Sequence, residues 1–458
     1  MIKLDLSNIW DCFVSYYNKN KTIFDNEKLV KLIEEEKWDD VYAYVGSRKF
    51  TLFLFNQGIN PFIHMKSIPK GSIPNESMFD YKNCGIPKEL IPKLQKFAHF
   101  EIPYGVEKIC EGAFRNCKQL IDVNIPDSVK AIHSFAFSGC KNLTELTIPD
   151  SVKSIGDGAF VNCEQLEYVS LPRSLSKFGN EVFYNCPNLN YNVLDGVKYF
   201  GNPVRPYMIA CGVTDKTKTT YTLYSDTIAI MNDTFKSCFK LKTLTIPPKV
   251  NSIGSFAFKD CSSLESIKLP SKVTRIGRYA FYNCINLQKI VLPDALQSIA
   301  MNAFNGCESL KSVTLGKKVT SIGGNAFEGC SSLTKIEIPS RVKCIYGETF
   351  KDCISLKKVI IQEGVKEISR NVVLGCSSLE RIVIPNTVKK ISLSAFVGCP
   401  RLTEITIPSS VSYLGTSVFK GCDNLSKIYC EVAEMPKGWN RRWNNGTKAQ
   451  IIWGAKPE

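Results

Sequence analysis

A cysteine returns every 23 residues along most of this chain. Cys117, Cys140, Cys163 and Cys186 form one run. Cys238, Cys261, Cys284, Cys307, Cys330, Cys353, Cys376, Cys399 and Cys422 form a second. These are 13 of the 19 cysteines. A leucine stands three residues after every one, from Leu120 to Leu425. A phenylalanine stands three residues before all but Cys376, where Val373 replaces it. The consensus is L-x-x-I-x-[IL]-P-x-x-V-x-x-I-G-x-x-A-F-x-x-C. Self-similarity at a fixed period of this size marks a solenoid, in which each coil leans only on its neighbours. A length of 458 residues therefore does not imply several independent domains.

The segment "CSSLESIKLPSKVTRIGRYAFYNC", residues 261–284, maps onto one coil. Its "LESIKLP" alternates, with Ile267 and Leu269 inward and Ser266 and Lys268 outward, as in a short strand. Pro270 cannot donate to a ladder and ends that strand. "KVTRIG" turns Val273 and Ile276 inward on the return side. "RYAFYNC" reads as a tight helical or 3₁₀ turn that drives Phe281 into the core. One coil cannot cover its own apolar face, whereas stacked coils can.

These residues, "IPDSVKSIGDGAFVNCEQLEYVSLP" at 148–172 above all, resemble the BspA-like (Treponema pallidum-type) leucine-rich repeat family over about residues 95–453. The ending "IYCEVAEMPKGWNRRWNNG" is similar to that family's C-terminal closure. The expected fold class is an α/β repeat: a curved leucine-rich repeat solenoid of about 14 coils with a small N-terminal α/β cap domain. Residues 1–95 are expected to be that cap or a small interaction domain. Residues 96–429 are expected to be the solenoid, and 430–458 a C-terminal cap. The resemblance also implies a binding role, since such relatives are commonly surface or host-interaction proteins. A BspA-type surface adhesin is thus one reading.

Stacking at one strand spacing sets equivalent sulfurs about 5 Å apart. Each cysteine lies between an inward Phe and an inward Leu, and cysteine is among the most buried residue types. The expectation is a reduced, buried structural ladder, which suits a reducing compartment. With no CxxC and three histidines, the spacing offers no metal site. Cys12, Cys84, Cys110, Cys211, Cys344 and Cys430 fall outside the ladder.

The period breaks between Cys186 and Cys238, where the 52 residues make two coils with six residues added. The enlarged coil is 187–215. Within it "GVKYFG" and "PYMIACG" read as two short strands joined by "NPVRP". Two readings stand: a structural variant of the coil, or a protruding hairpin that binds through Tyr199, Phe200 and Arg205. Residues 1–95 lack the repeat. They contain a candidate amphipathic helix at 26–45 and a candidate strand at 49–55.

The formal net charge is +15, of which about +2 lies in residues 1–100 (14 Lys and Arg, 12 Asp and Glu). The excess in the array points to acidic partners. The outward residue before each strand Ile or Val is basic at Lys289, Lys335, Lys358, Arg381 and Lys427. Ile360 and Val383 stand two residues on from Lys358 and Arg381. At one strand spacing per coil this basic concave column spans about 30 Å. Lysines also fall on the return side, at Lys130, Lys153, Lys343, Lys366 and Lys389, where they can serve simply to block aggregation. No HExxH, GxxxxGK[ST] or GxSxG is present.

The expected function is a non-enzymatic protein-binding scaffold that takes an acidic protein or nucleoprotein on its concave face. A nucleic-acid or nucleoprotein binder using the basic column, such as an inhibitor of a host complex, is the alternative. A third possibility is that residues 1–95 carry the activity and the array positions them. No cofactor is expected. The opening "MIKLDLSNIWDCFVSYYNKN" lacks a signal's long apolar run, so a cytoplasmic protein without membrane insertion is expected.

Overall fold

The computed structural model describes residues 97–102 and 106–455. The helix expected at 26–45, the strand at 49–55 and the α/β cap lie outside them. The described residues fall into two compact units. One runs to Tyr191 and includes Gly201–Pro206; the other comprises Asn192–Phe200 and the chain from Tyr207 onward.

Each coil has three hydrogen-bonded sides. The first is the expected short strand, as in Ser266–Lys268, Lys289–Val291 and Ser312–Thr314, which pair in parallel with 23-residue register. A turn follows, in which the N–H of Val273 donates to the carbonyl of Pro270 at 3.1 Å. The P-x-x-V of the consensus is thus a β-turn, with proline ending the strand and supplying the acceptor.

The return side is the second side, and here the structure adds to the sequence reading. "TRIG" and its equivalents are themselves strands, only two residues long. In the first unit Lys108–Ile109, Ala131–Ile132, Ser154–Ile155 and Lys177–Phe178 make a four-stranded parallel sheet. In the second unit the return strands from Ala229–Ile230 to Tyr413–Leu414 belong to a twelve-stranded sheet. The glycine after the return Ile is required there: a Cβ on Gly277 would sit 2.5 Å from the backbone nitrogen of Ser255 one coil earlier.

The third side corrects the helical expectation. No helix occurs among the described residues, so the repeat is not α/β: it is strands and turns throughout. The cause is two left-handed residues in each coil. The residue five before the cysteine has φ between 51° and 66°, and the residue just before it between 57° and 76°. Such residues interrupt a right-handed helix. The N–H groups point instead along the stack, as when Phe281 donates to the carbonyl of Ala303 at 2.7 Å.

Inside, the phenylalanines stack face to face. Phe258, Phe281 and Phe304 have ring centroids 5.0 and 5.1 Å apart. Each ladder thiol donates across the stack, for example Cys284 Sγ to the Phe258 carbonyl at 3.1 Å. The cysteine thereby satisfies a buried acceptor that no backbone donor reaches. Burial pushes these thiols up, Cys238 to about 11 and Cys117 and Cys376 to about 12. Cys110 and Cys430, outside the 23-residue series, are buried as well.

The enlarged coil contains both expected strands, Val197–Phe200 and Ile209–Val213, paired antiparallel. Asn192–Leu194 adds a third antiparallel strand, and the three end the twelve-stranded sheet. At the other end, Gln450–Trp453 pairs in parallel with Lys427–Cys430. Trp443 meets Phe419 edge-on at 6.1 Å, and Trp439 Nε1 donates to the Val411 carbonyl at 2.9 Å. Two indoles thus cover the last phenylalanine of the ladder, and both are buried.

Candidate binding surface

Alternation on the strand side sends one residue before, and one after, each inward Ile or Val into solvent. Parallel pairing then lines these outward residues up in columns. The register places Lys335 beside Lys358 and Lys358 beside Arg381 on a single three-stranded sheet. The next column of the same sheet is Glu337, Ile360 and Val383. Lys335, Arg381 and Val383 are exposed, and Lys358 and Ile360 half-buried. Five of the seven residues expected on this surface therefore meet in one patch, with cations along one edge and two β-branched apolar side chains beside them.

Lys289 and Lys427 are not in that patch. Lys289 pairs with Ser266 and Ser312 on a separate sheet. Lys427 pairs with Glu404 and Gln450 on a third. The column is thus basic without interruption over three coils. Gln450 and Ile452, from the segment expected only to close the end, extend both outward columns past Lys427 and Tyr429.

Elsewhere the chain treats charges 23 residues apart in the opposite way. Lys141 meets Glu164 at 2.7 Å, Lys351 meets Glu328 at 2.7 Å and Lys390 meets Glu367 at 2.9 Å. Arg173 bonds Asp150, and Lys249 bonds Asp226. The Arg173 guanidinium holds the Asp150 carboxyl below its ordinary value, and Glu328 and Glu367 raise the ammonium groups of Lys351 and Lys390. By contrast, Lys335, Lys358 and Arg381 make no ion pair or side-chain hydrogen bond among the described residues. Like charges directly opposite each other on a sheet are destabilising.

The hairpin of the enlarged coil is not a protruding contact. Tyr199 is fully buried, its ring edge-on to Tyr207 at 5.5 Å and its hydroxyl accepting from the Tyr224 N–H. It is a core residue because the strand alternation turns it inward beside Val197. Phe200 and Arg205 are half-buried. Arg205 Nη1 donates to the Arg173 carbonyl at 2.7 Å, and Asn202 Nδ2 to the Leu171 carbonyl at 2.7 Å. The turn is thereby tied to the coil before it, and its exposed apolar residue is Val204.

Two further observations bear on chemistry. Among the described residues no three His, Cys, Asp or Glu side chains are placed to hold a metal ion. Among the same residues no helix is long and apolar enough to cross a membrane.

Comparison with known proteins agrees with this architecture. The BspA type leucine rich repeat region matches in six copies, over residues 86–204, 228–353 and 322–434. A leucine-rich repeat protein of Bacteroides ovatus is 29% identical over 78% of this chain and 84% of its own, with a TM-score of 0.39. The T. pallidum leucine rich repeat protein is 30% identical over 46% of this chain and 91% of its own, with a TM-score of 0.37. A leucine rich cell surface protein of Faecalibacterium prausnitzii is 27% identical over 77% and 91%, with a TM-score of 0.31. No curated protein matches. The chain belongs to the BspA type leucine-rich repeat family.

Proposed function

We propose that this chain is a non-enzymatic scaffold that binds an acidic protein surface on the strand face of coils 335–383. The observation that carries this reading is the unpaired column Lys335, Lys358 and Arg381, set in direct register in a molecule that elsewhere puts an acid opposite a base. An incoming carboxylate cluster supplies the missing partner charges. Ile360 and Val383, in the neighbouring column, give that partner an apolar contact to bury. A protein fits this patch better than a nucleic-acid strand, because no aromatic ring stands on its three strands for a base to stack on.

The test is capture from the native cell with full-length chain, with and without nuclease, comparing wild type with the K335E/K358E/R381E variant. The expected result is a protein retained by wild type after nuclease, lost by the variant, and an unchanged melting curve. Retention of the same protein by the variant sinks the reading. Loss of the captured material on nuclease treatment moves the function to nucleoprotein binding.

A further inference from the structure

A second column of cations stands on the return side of the same coils. Lys343, Lys366 and Lys389 are 23 residues apart, and all three are exposed. Their register is set by the backbone: Lys366 N–H donates to the Lys343 carbonyl at 2.7 Å, and Lys389 N–H to the Lys366 carbonyl at 2.8 Å. None of the three makes an ion pair or side-chain hydrogen bond among the described residues. The adjacent column contains Glu367, but Lys390 already neutralises it at 2.9 Å. In the first unit, by contrast, Lys130 and Lys153 are preceded in their column by Glu107. Past Lys389 the column ends at Ser412, beside Tyr413, whose ring is 46% exposed with Lys390 Nζ 5.8 Å from its centroid.

We propose that this row is a second binding site, distinct from the strand face, for a linear acidic polysaccharide carrying one carboxylate on each sugar ring. The pitch favours that class. The lysines repeat at one inter-strand spacing, about 4.8 Å, and a pyranose ring advances its chain by about the same step. An extended acidic peptide presents same-side carboxylates only every second residue, at about 6.7 Å, and falls out of step with the row. A single-stranded nucleic acid calls for successive stacking rings, whereas the row offers Tyr413 alone, at its end. That one ring, apolar on its face and flanked by a cation, suits the C–H face of a terminal sugar. A row of surface ammonium groups binds by many weak, screened contacts, so affinity depends on salt and on chain length.

The experiment measures anisotropy of a labelled oligogalacturonate, a labelled poly-glutamate peptide and a labelled single-stranded oligonucleotide. Each is titrated with full-length chain at low and high salt. Wild type, K343Q/K366Q/K389Q and K335Q/K358Q/R381Q are compared after matching their melting curves. The expected result is oligogalacturonate binding that weakens about tenfold or more in the return-side variant, persists in the strand-side variant and falls with salt. Absence of binding by wild type at low salt overturns the proposal. So does unchanged binding in the return-side variant, or tighter binding of the peptide or oligonucleotide through the same three lysines.

Discussion

The interior of the array and the outward columns of coils 335–389 follow opposite rules. Inside, every coil repeats the same side chains. Phe258, Phe281, Phe304 and Phe327 stack at 5.0–5.3 Å, and the thiols donate to the same carbonyl in coil after coil. Identity works there because stacked apolar groups attract their own kind. Outside, repeating one cation in register costs repulsion, and most columns avoid it by alternating acid and base. Coils 335–389 do not, on either of two faces. The contrast teaches that the repeat itself is a packing device, and that functional information lies where a surface breaks the packing logic.

Removing a ring from the interior is the change with the largest expected effect. Phe281→Ala opens a cavity between two stacked neighbours and is expected to lower stability by about 3–5 kcal/mol, read by denaturant unfolding. Because coils stabilise one another only through neighbours, loss of protection in hydrogen exchange should centre on coils 258–304 and fade outward. Uniform loss over all coils contradicts that picture.

Raising pH probes the thiol ladder. A thiol whose proton is held more tightly when folded contributes fully below its unfolded value, 9.0, and its contribution is lost as pH rises toward the folded value, about 12 for Cys117 and Cys376. In that window the unfolded chain releases protons that the folded chain keeps, so unfolding is favoured. Stability is therefore expected to be insensitive to the thiols up to about pH 9 and to fall steeply above it. A ladder of exposed or disulfide-bonded cysteines gives no such fall, and measuring melting temperature from pH 8 to 11 tells them apart.

Much of this was legible in the chain. The inward Ile, Val, Phe, Cys and Leu positions follow from the 23-residue spacing, and nearly all are buried. The turn side was misread because Ala, Phe and Cys at the ends of "AFYNC" suggest a helical turn. The residue before the cysteine carried the contrary signal: it is Asn, Gly, Asp or Ser in all 13 coils, the residues that tolerate a left-handed backbone. The return strands were hidden by their length, since two residues cannot display an alternation. Tyr199 was misplaced for a different reason. A hairpin's sequence does not say whether its turn protrudes or, as here, is pinned by Asn202 and Arg205 to the neighbouring coil.

The binding patch was only half legible. The basic residues could be named from the consensus, but their pairing state could not. Salt bridges 23 residues apart depend on which outward column each side chain enters, and a one-residue shift moves it to another column. Lys358 and Lys390 look alike in sequence, yet only Lys390 faces a carboxylate.

The most direct test of the central claim is a single substitution, Lys358→Glu. It converts Lys335–Lys358–Arg381 into the acid–base alternation used elsewhere in the molecule. If the column is held in its repulsive state for the sake of a partner, the variant gains about 0.2–1 kcal/mol of stability and loses the captured protein. A variant no more stable than wild type, or one that still retains the partner, contradicts the account.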